Sequence, residues 1–486
     1  MTATHDRPAV RTYGGWRRRR GLGLAGLDGR QSVLVLGAVF AVLIAGIFAL
    51  RLALLLLAPA ALAIGVGIVH WDGVWLVDSL TARVRWAVAL RRGHTSLRGA
   101  GLVDHPQAWQ LPGLLASTRC LQADDGEGGT LGLVWDRRSG LLTATLRVAA
   151  TGVLLADSGD GDAWVASWGA WLSALGAEPT VRWVSVTVDT APDPGRSLRD
   201  YVEARLDPTA PATARAIMHD LVEVSPVPAA SVETRVSVTF DPGAAPVKPG
   251  SLGEAATRVG LTLRGLETSL AGCGLSLLGR YDADRLATTV RAAYDPAVRG
   301  RADEVDWSDA GPVAAEERWE SYSHDSGHSV SWTLREAPRQ LVTSGVLTRL
   351  MAPGAWPRRV TLTYQAFTAD QAAGVLEREV NAASFRSAYN RRTGREESAR
   401  DRADLARAES AALEEAQGAG VVLFSAYATT TVTHRDQLDA AVADVEQRAG
   451  AAKLRLRRAY GAQAATFAAT LPCGVYLPFH AGRGRK

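Results

Sequence analysis

The sequence predicts an α+β protein: an N-terminal transmembrane helical hairpin followed by two ferredoxin-like α+β modules with a charged helical arm. Three observations carry this reading. From Val33 to Val69 every residue is apolar, Gly or Pro except Arg51, a pattern that water-facing elements do not show. Further on, short β-rich runs alternate with helically spaced apolar residues, and a strand–helix–strand–helix order closes both halves, at 232–293 and 421–470. The 486 residues exceed what one core usually holds, while the 47 % apolar and 21 % charged shares are those of a globular chain. A mainly disordered or collagen-like chain is thereby excluded.

Residues 1–32 read as a basic cytoplasmic tail. Val33–Leu50 and Leu52–Val69 each make about 27 Å of helix. A turn at Arg51–Pro59 spares the arginine a place near the bilayer centre. The run is too long, and starts too far into the chain, for a signal peptide. Arg17–Arg20 and Arg30 precede it and Arg83, Arg85, Arg91 and Arg92 follow, so positive-inside logic predicts a plasma-membrane protein with two transmembrane helices and both termini cytoplasmic. Trp16, Trp71 and Trp75 fit interfacial anchors. These flanks hold the basic excess behind the pI of about 9.1, and the remainder is acidic. That distribution argues against a nucleic-acid surface.

After a juxtamembrane segment at 70–130, the first α+β module spans 131–300. Leu131–Asp136 and Leu141–Ala149 form a hairpin across Arg137-Arg138-Ser139-Gly140. Helical spacing at Ala163–Leu175, a strand at Val181–Val188, a helix at Pro211–Val224 and a strand at Val232–Phe240 follow. Leu252–Ala271, Leu275–Tyr281 and Ala283–Ala293 read as helix, strand and helix. A linker at 301–327 leads to the second module, 328–472. It has strands at Ser329–Leu334 and Arg359–Thr363, a helical arm at 385–417, a β-run at Val421–Val432, a helix at Arg435–Arg448, a strand at Lys453–Leu456 and a helix at Ala459–Thr470. Residues 473–486 read as a C-terminal tail.

The stretch Val421–Pro472, closing on Tyr460-Gly461-Ala462-Gln463-Ala464-Ala465-Thr466-Phe467-Ala468-Ala469-Thr470-Leu471-Pro472, resembles the end of the N-terminal domain of type IV secretion (conjugation) assembly ATPases. Arg11-Thr12-Tyr13-Gly14-Gly15-Trp16-Arg17 followed by an apolar hairpin resembles an actinobacterial conjugation-associated membrane protein family, in which a PrgI-type hairpin is joined to this domain. The resemblance implies a membrane-anchored, non-catalytic scaffold subunit of a type IV-like secretion or conjugation apparatus that docks a separate ATPase. The alternative is an EccE-like membrane subunit of a type VII secretion system. The implied partners are membrane lipids, a separate P-loop ATPase, other secretion-complex subunits and further copies of the chain, with no direct nucleic-acid binding. The family's motor domain should follow Pro472, yet the sequence reaches Lys486 without one. The three lysines, Lys248, Lys453 and Lys486, fit no G-x-x-x-x-G-K-[ST] loop, in which backbone amides and lysine cradle phosphates.

No catalytic, cofactor-binding or metal-binding residue is expected. Cys120, Cys273 and Cys473 show no paired spacing, so neither a zinc site nor a disulfide framework follows, and the soluble part reads as cytosolic. His324-Asp325-Ser326-Gly327-His328 has a metal spacing only on a helix, and the following strand favours a solvated turn. Asp157–Asp162 resembles an oxygen-rich calcium loop, but its twelfth position is Trp168 rather than Glu, which favours a polar loop capping a helix. Trp164, Trp168 and Trp171 form a helical stripe, read as packed on the sheet in preference to a partner-facing patch. The charged arm reads as a solvated helix, with a docking arm as the alternative.

Overall fold

The structure, a computed structural model, describes residues 11–16, 29–71, 74–99, 110–125, 128–150, 158–192, 202–203, 205–224, 230–300, 305–392, 399–416, 418 and 420–483. Two compact units emerge: Trp16–Thr95 with Arg378–Glu409, and Met1–Gly15 with Ser96–Glu377 and Ser410–Lys486.

In the first unit, α1 (Gly29–Phe48) and α2 (Leu50–Ile68) are joined at Ala49, whose backbone is extended. They fold back on one another: a Cβ on Gly67 would lie 3.2 Å from Val35 and 3.5 Å from Leu34. The two-residue strands β1 (His70–Trp71) and β2 (Val74–Trp75) then lead into α3 (Leu76–Arg91). Among the described residues no helix is long and apolar enough to cross a membrane. This overturns the transmembrane hairpin expected at Val33–Leu50 and Leu52–Val69, and with it the plasma-membrane placement with both termini cytoplasmic. The reason lies in where the helices break. The turn falls at Ala49, not at Arg51–Pro59, so Arg51 and Pro59 are inside α2, and α1 opens with Gly29-Arg30-Gln31-Ser32. The uninterrupted apolar stretches, Val33–Phe48 and Leu52–Ile68, are about 24 and 26 Å long, short of a hydrocarbon core of about 30 Å.

Among the described residues the second unit is built on one antiparallel sheet of thirteen strands. They are β3 (Ser96–Arg98), β4 (Thr118–Asp124), β5 (Thr130–Asp136), β6 (Leu142–Ala150), β7 (Val181–Pro192), β8 (Ala230–Phe240), β9 (Leu275–Arg280), β10 (Ala314–Glu317), β11 (Tyr322–His324), β12 (Gly327–Glu336), β13 (Arg358–Ala366), β14 (Val422–Val432) and β15 (Arg455–Arg458). Their order is β3-β10-β11-β12-β14-β13-β7-β8-β6-β5-β4, with β15 beside β12 and β9 beside β6. The helices longer than one turn are α4 (Ser158–Leu175), α5 (Ala212–Val224), α6 (Leu252–Leu270), α7 (Ala283–Tyr294), α8 (Ala369–Arg392), α9 (Ala399–Ala416), α10 (Leu438–Ala451) and α11 (Gln463–Ala468); α8 and α9 each have residues in both units. The two separate ferredoxin-like modules expected from the sequence are therefore halves of one sheet. Their Val- and Thr-rich edge strands β7 and β13 pair over Val184–Thr190 and Arg358–Tyr364, which satisfies backbone groups that two separate sheets would leave open. Part of the expected linker, residues 314–324, forms β10 and β11.

The registers relate the halves by a local two-fold axis. Leu146 pairs Val236 and Arg280 in one half, and Trp332 pairs Ala428 and Arg458 in the other. Val186 pairs Val236, and Val360 pairs Ala428. In the central β7–β13 pair, Val186 faces Leu362 and Val188 faces Val360, which places the axis at the Thr187–Thr361 pair. Tyr281 N–H donates to the Thr145 carbonyl, and in the same way Ala459 N–H donates to Ser331, each at 2.9 Å. Thus α7 and α11, which begin just after these bonds, occupy equivalent places.

Strand alternation gives the sheet two chemically different faces. One carries Leu142, Ala144, Val236, Val238, Val360 and Trp332 and packs under α4, α6 and α10. The other carries hydroxyls paired across strands: Thr143 with Thr239 (3.0 Å), Thr145 with Ser237 (2.9 Å), Thr187 with Thr361 (2.9 Å), Ser185 with Thr363 (3.1 Å), Ser331 with Thr429 and Ser329 with Thr431 (both 2.8 Å). This face is also buried. The apolar cluster of α7, α11 and the segment Leu471–Val475 covers it. Gly474, at φ +67°, crosses over the Thr143–Thr239 pair so closely that any Cβ would collide with Thr143 Oγ1. Trp183 Nε1 donates to its carbonyl at 3.2 Å, and Trp183 packs on Tyr476 and Phe479.

Candidate functional site

The polar face holds one region that departs from its own two-fold symmetry. The axis that relates Ser185 to Arg359 also relates Thr363 to Asp189, so the neutral Ser185–Thr363 pair has a charged pair as its counterpart. Arg235, on β8, stands where the other half has Tyr427. Asp189 faces Arg359 directly across β7–β13 and Glu233 across β7–β8. The chain after α7 brings in Arg299, whose Nη2 donates to Asp189 Oδ1 at 2.7 Å. Arg235 Nη1 lies 3.6 Å from Asp189 Oδ2, an ion pair too long for a hydrogen bond.

Two of the guanidiniums converge on Thr470. Arg235 Nη2 donates to its carbonyl at 3.0 Å, and Arg359 Nε to its hydroxyl at 3.2 Å. The Arg359 guanidinium lies 4.7 Å from the Phe467 ring centroid, a cation–π contact from α11. Toward the surface, Glu233 Oε1 accepts from Tyr281 Oη at 2.6 Å and from Arg285 Nη2 at 2.7 Å. Arg235 is fully buried and Arg359 is 5 % exposed, so the local dielectric is low and each charge acts strongly on the others. Burial opposes ionisation of Asp189, but Arg299, Arg235 and Arg359 outweigh it and hold the carboxyl below its usual range. Burial, reinforced by Arg235 and Arg299, pulls Arg359 down to about 10 against the attraction of Asp189, so it remains a cation at neutral pH.

The residues singled out in the sequence lie elsewhere. His324 and His328 sit on the hairpin of β11 and β12, where His324 pairs Gly327 and His328 pairs Ser323. They make separate bonds: His324 Nδ1 to the Tyr294 carbonyl (2.5 Å) and Nε2 to Ser329 (2.8 Å), His328 Nδ1 to Ser323 (3.0 Å). The turn is held tightly, with Asp325 accepting from Val313 and Ala314 N–H and pairing with Arg291. Asp157 lies outside the described residues; Asp162 is in the first turns of α4 and accepts from Tyr13 Oη at 2.8 Å. Trp171 is buried against α6, donating to Ser269 at 3.0 Å, and Trp168 stacks on it with centroids 4.9 Å apart. The three cysteines are free, and burial raises each thiol, Cys120 to about 12, which disfavours nucleophilic thiolates. Among the described residues no group of His, Cys, Asp and Glu is arranged to hold a metal.

His324 carries a pH prediction. Burial pushes its pKa down to about 3, with Arg359 and His328 adding to the effect and the bond to Tyr294 opposing it. The unfolded imidazole titrates near 6.5, so below that pH the unfolded state binds a proton that the folded state refuses. Stability is complete above about pH 6.5 and falls as pH drops toward about 3, by about 1.4 kcal/mol per unit once the unfolded imidazole is protonated. Denaturant titrations at pH 7 and pH 5 should show His324→Gln losing less stability between the two than the unaltered protein.

No protein-family model matches the sequence, and no curated protein matches it. The charged cluster therefore rests on its own geometry. It was missed in the sequence because Asp189, Arg235 and Arg359 occupy the polar side of alternating strands, where a single sequence points to solvent. The signal available was a charged residue in a run of Thr and Ser on that side of three different strands.

Proposed function

We propose that the protein is a non-catalytic scaffold subunit of a type IV-like secretion or conjugation apparatus that docks a separate ATPase. The supporting observation is the course of the chain around Leu471-Pro472. The segment that resembles the assembly-ATPase N-terminal domain folds as β14, α10, β15 and α11 in succession. Where the motor of those ATPases would lead away, Cys473, Val475 and Tyr476 turn back and are buried against the sheet. On this reading the motor that works with this domain is a separate ATPase that docks on it.

The test is recovery of the full-length tagged protein after mild crosslinking, with its partners identified by mass spectrometry. A conjugation-type P-loop ATPase lacking its own copy of this domain is the expected partner. Recovery of the multi-ATPase protein of a type VII system would replace the reading with the EccE-like one. If no P-loop ATPase crosslinks, the docking function fails.

A further inference from the structure

We infer that the cluster of Arg235, Arg299, Arg359 and Asp189 is a binding site for a small inorganic anion of halide size, chloride being the species at hand in most cells. Three guanidiniums there face the Asp189 carboxylate, and Glu233, which also acts on Arg235 and Arg299, is bonded to Arg285 and Tyr281, so four cations stand against two carboxylates. Arg235 Nε and Nη1 and Arg359 Nη2 are buried donors without a hydrogen-bond acceptor among the described residues. Buried donors are normally satisfied, and buried cations are normally paired. A water molecule would meet the first requirement and leave the excess positive charge; a monovalent anion meets both.

The local symmetry sharpens the argument. At the two-fold-related place the same backbone register is filled by Ser185 and Thr363, whose hydroxyls bond each other at 3.1 Å. The fold is thus built at this register with a neutral, self-satisfied pair, so packing alone does not call for the charges. Both guanidiniums with spare donors are held by Thr470, and Phe467 stacks against one of them, which fixes their orientation. The depth of Arg235 and Arg359 below the surface limits the occupant to a small ion.

The test compares thermal unfolding of the full-length protein in chloride and in gluconate, an anion too large for the site, at constant ionic strength. A saturable rise in melting temperature with chloride is expected, and it should vanish in Arg359→Gln. Should that variant fail to fold, crystals of the unaltered protein grown in bromide decide the matter. An anomalous peak within hydrogen-bond reach of Arg235 Nε and Arg359 Nη2 supports the site. Identical unfolding in the two salts, or density there without anomalous signal, overturns it.

Discussion

Replacing Asp189 with alanine is expected to destabilise the protein by about 3–5 kcal/mol, the usual effect of removing one partner from a buried ion pair. Asp189 is the carboxylate that Arg299 donates to, that Arg235 approaches at 3.6 Å and that Arg359 faces across the strand pair. Without it, three cations are left with Glu233, already bonded to Arg285 and Tyr281, as the neighbouring carboxylate. The cost is mutual repulsion in a low-dielectric interior and not merely a lost contact. Asp189→Ala/Arg359→Met should therefore be more stable than the sum of the single changes predicts, because the second substitution removes part of that repulsion. Chemical denaturation of the four proteins measures the coupling. A loss below about 1 kcal/mol for the single alanine variant would show that the charges are solvated and the cluster is not closed.

Truncation after Ala469 should abolish cooperative folding. The cut removes Leu471, Cys473, Val475 and Tyr476, each 5 % exposed or less, together with the Thr470 groups that hold Arg235 and Arg359. At roughly 1.5–3 kcal/mol for each large apolar side chain, the lost burial alone approaches the 5–15 kcal/mol that typically separates folded from unfolded protein. It would also uncover the hydroxyl ladder that Gly474 crosses. The segment read from the sequence as a C-terminal tail is thus part of the core through Tyr476. A chain ending after Arg483 keeps Phe479 on Trp183 and should unfold like the full-length protein. Circular dichroism and calorimetry of the two truncations distinguish these outcomes; a cooperative transition in the shorter chain would contradict the assignment of the segment to the core.

Much of the local structure was legible. Leu252–Ala271 has helical spacing, and its Ser251–Glu254 pair caps the helix that forms from Leu252 to Leu270. The Arg137-Arg138-Ser139-Gly140 turn joins β5 and β6 as read, with Gly140 at φ +77°. The hairpin of α1 and α2 was misjudged because apolar composition was counted across a helix break. Arg51 looked like the turn residue, yet nothing in its chemistry ends a helix, and the chain reverses at Ala49 instead. Similarly, the strand that follows His328 pointed to a solvated turn at His324–His328. In fact His324 is 1 % exposed, because the tight hairpin places it beneath Tyr294 and beside Phe467.

Periodicity by itself located most of the longer strands and helices and which of their residues share a face, because side-chain alternation is a property of the local backbone, whereas β3, β4, β10 and β11 fall in stretches read as juxtamembrane segment or linker. It placed Ser185 and Thr187 together on β7, and Ser237 and Arg235 together on β8; Asp189 lies one residue past the strand it marked at Val181–Val188, on the same face of the longer β7. What lies over that face is a different kind of information. Polar alternation normally marks the solvent side of a sheet, and only the packing of α7, α11 and Leu471–Tyr476 turns it into an interior. The tertiary structure likewise decided that two halves become one sheet, since the β7–β13 pairing joins residues more than 160 positions apart by backbone bonds that any sequence can make. The charged cluster belongs to this second category: its members come from β7, β8, β13 and the chain after α7, and they meet only because burial and long-range pairing bring them to one point.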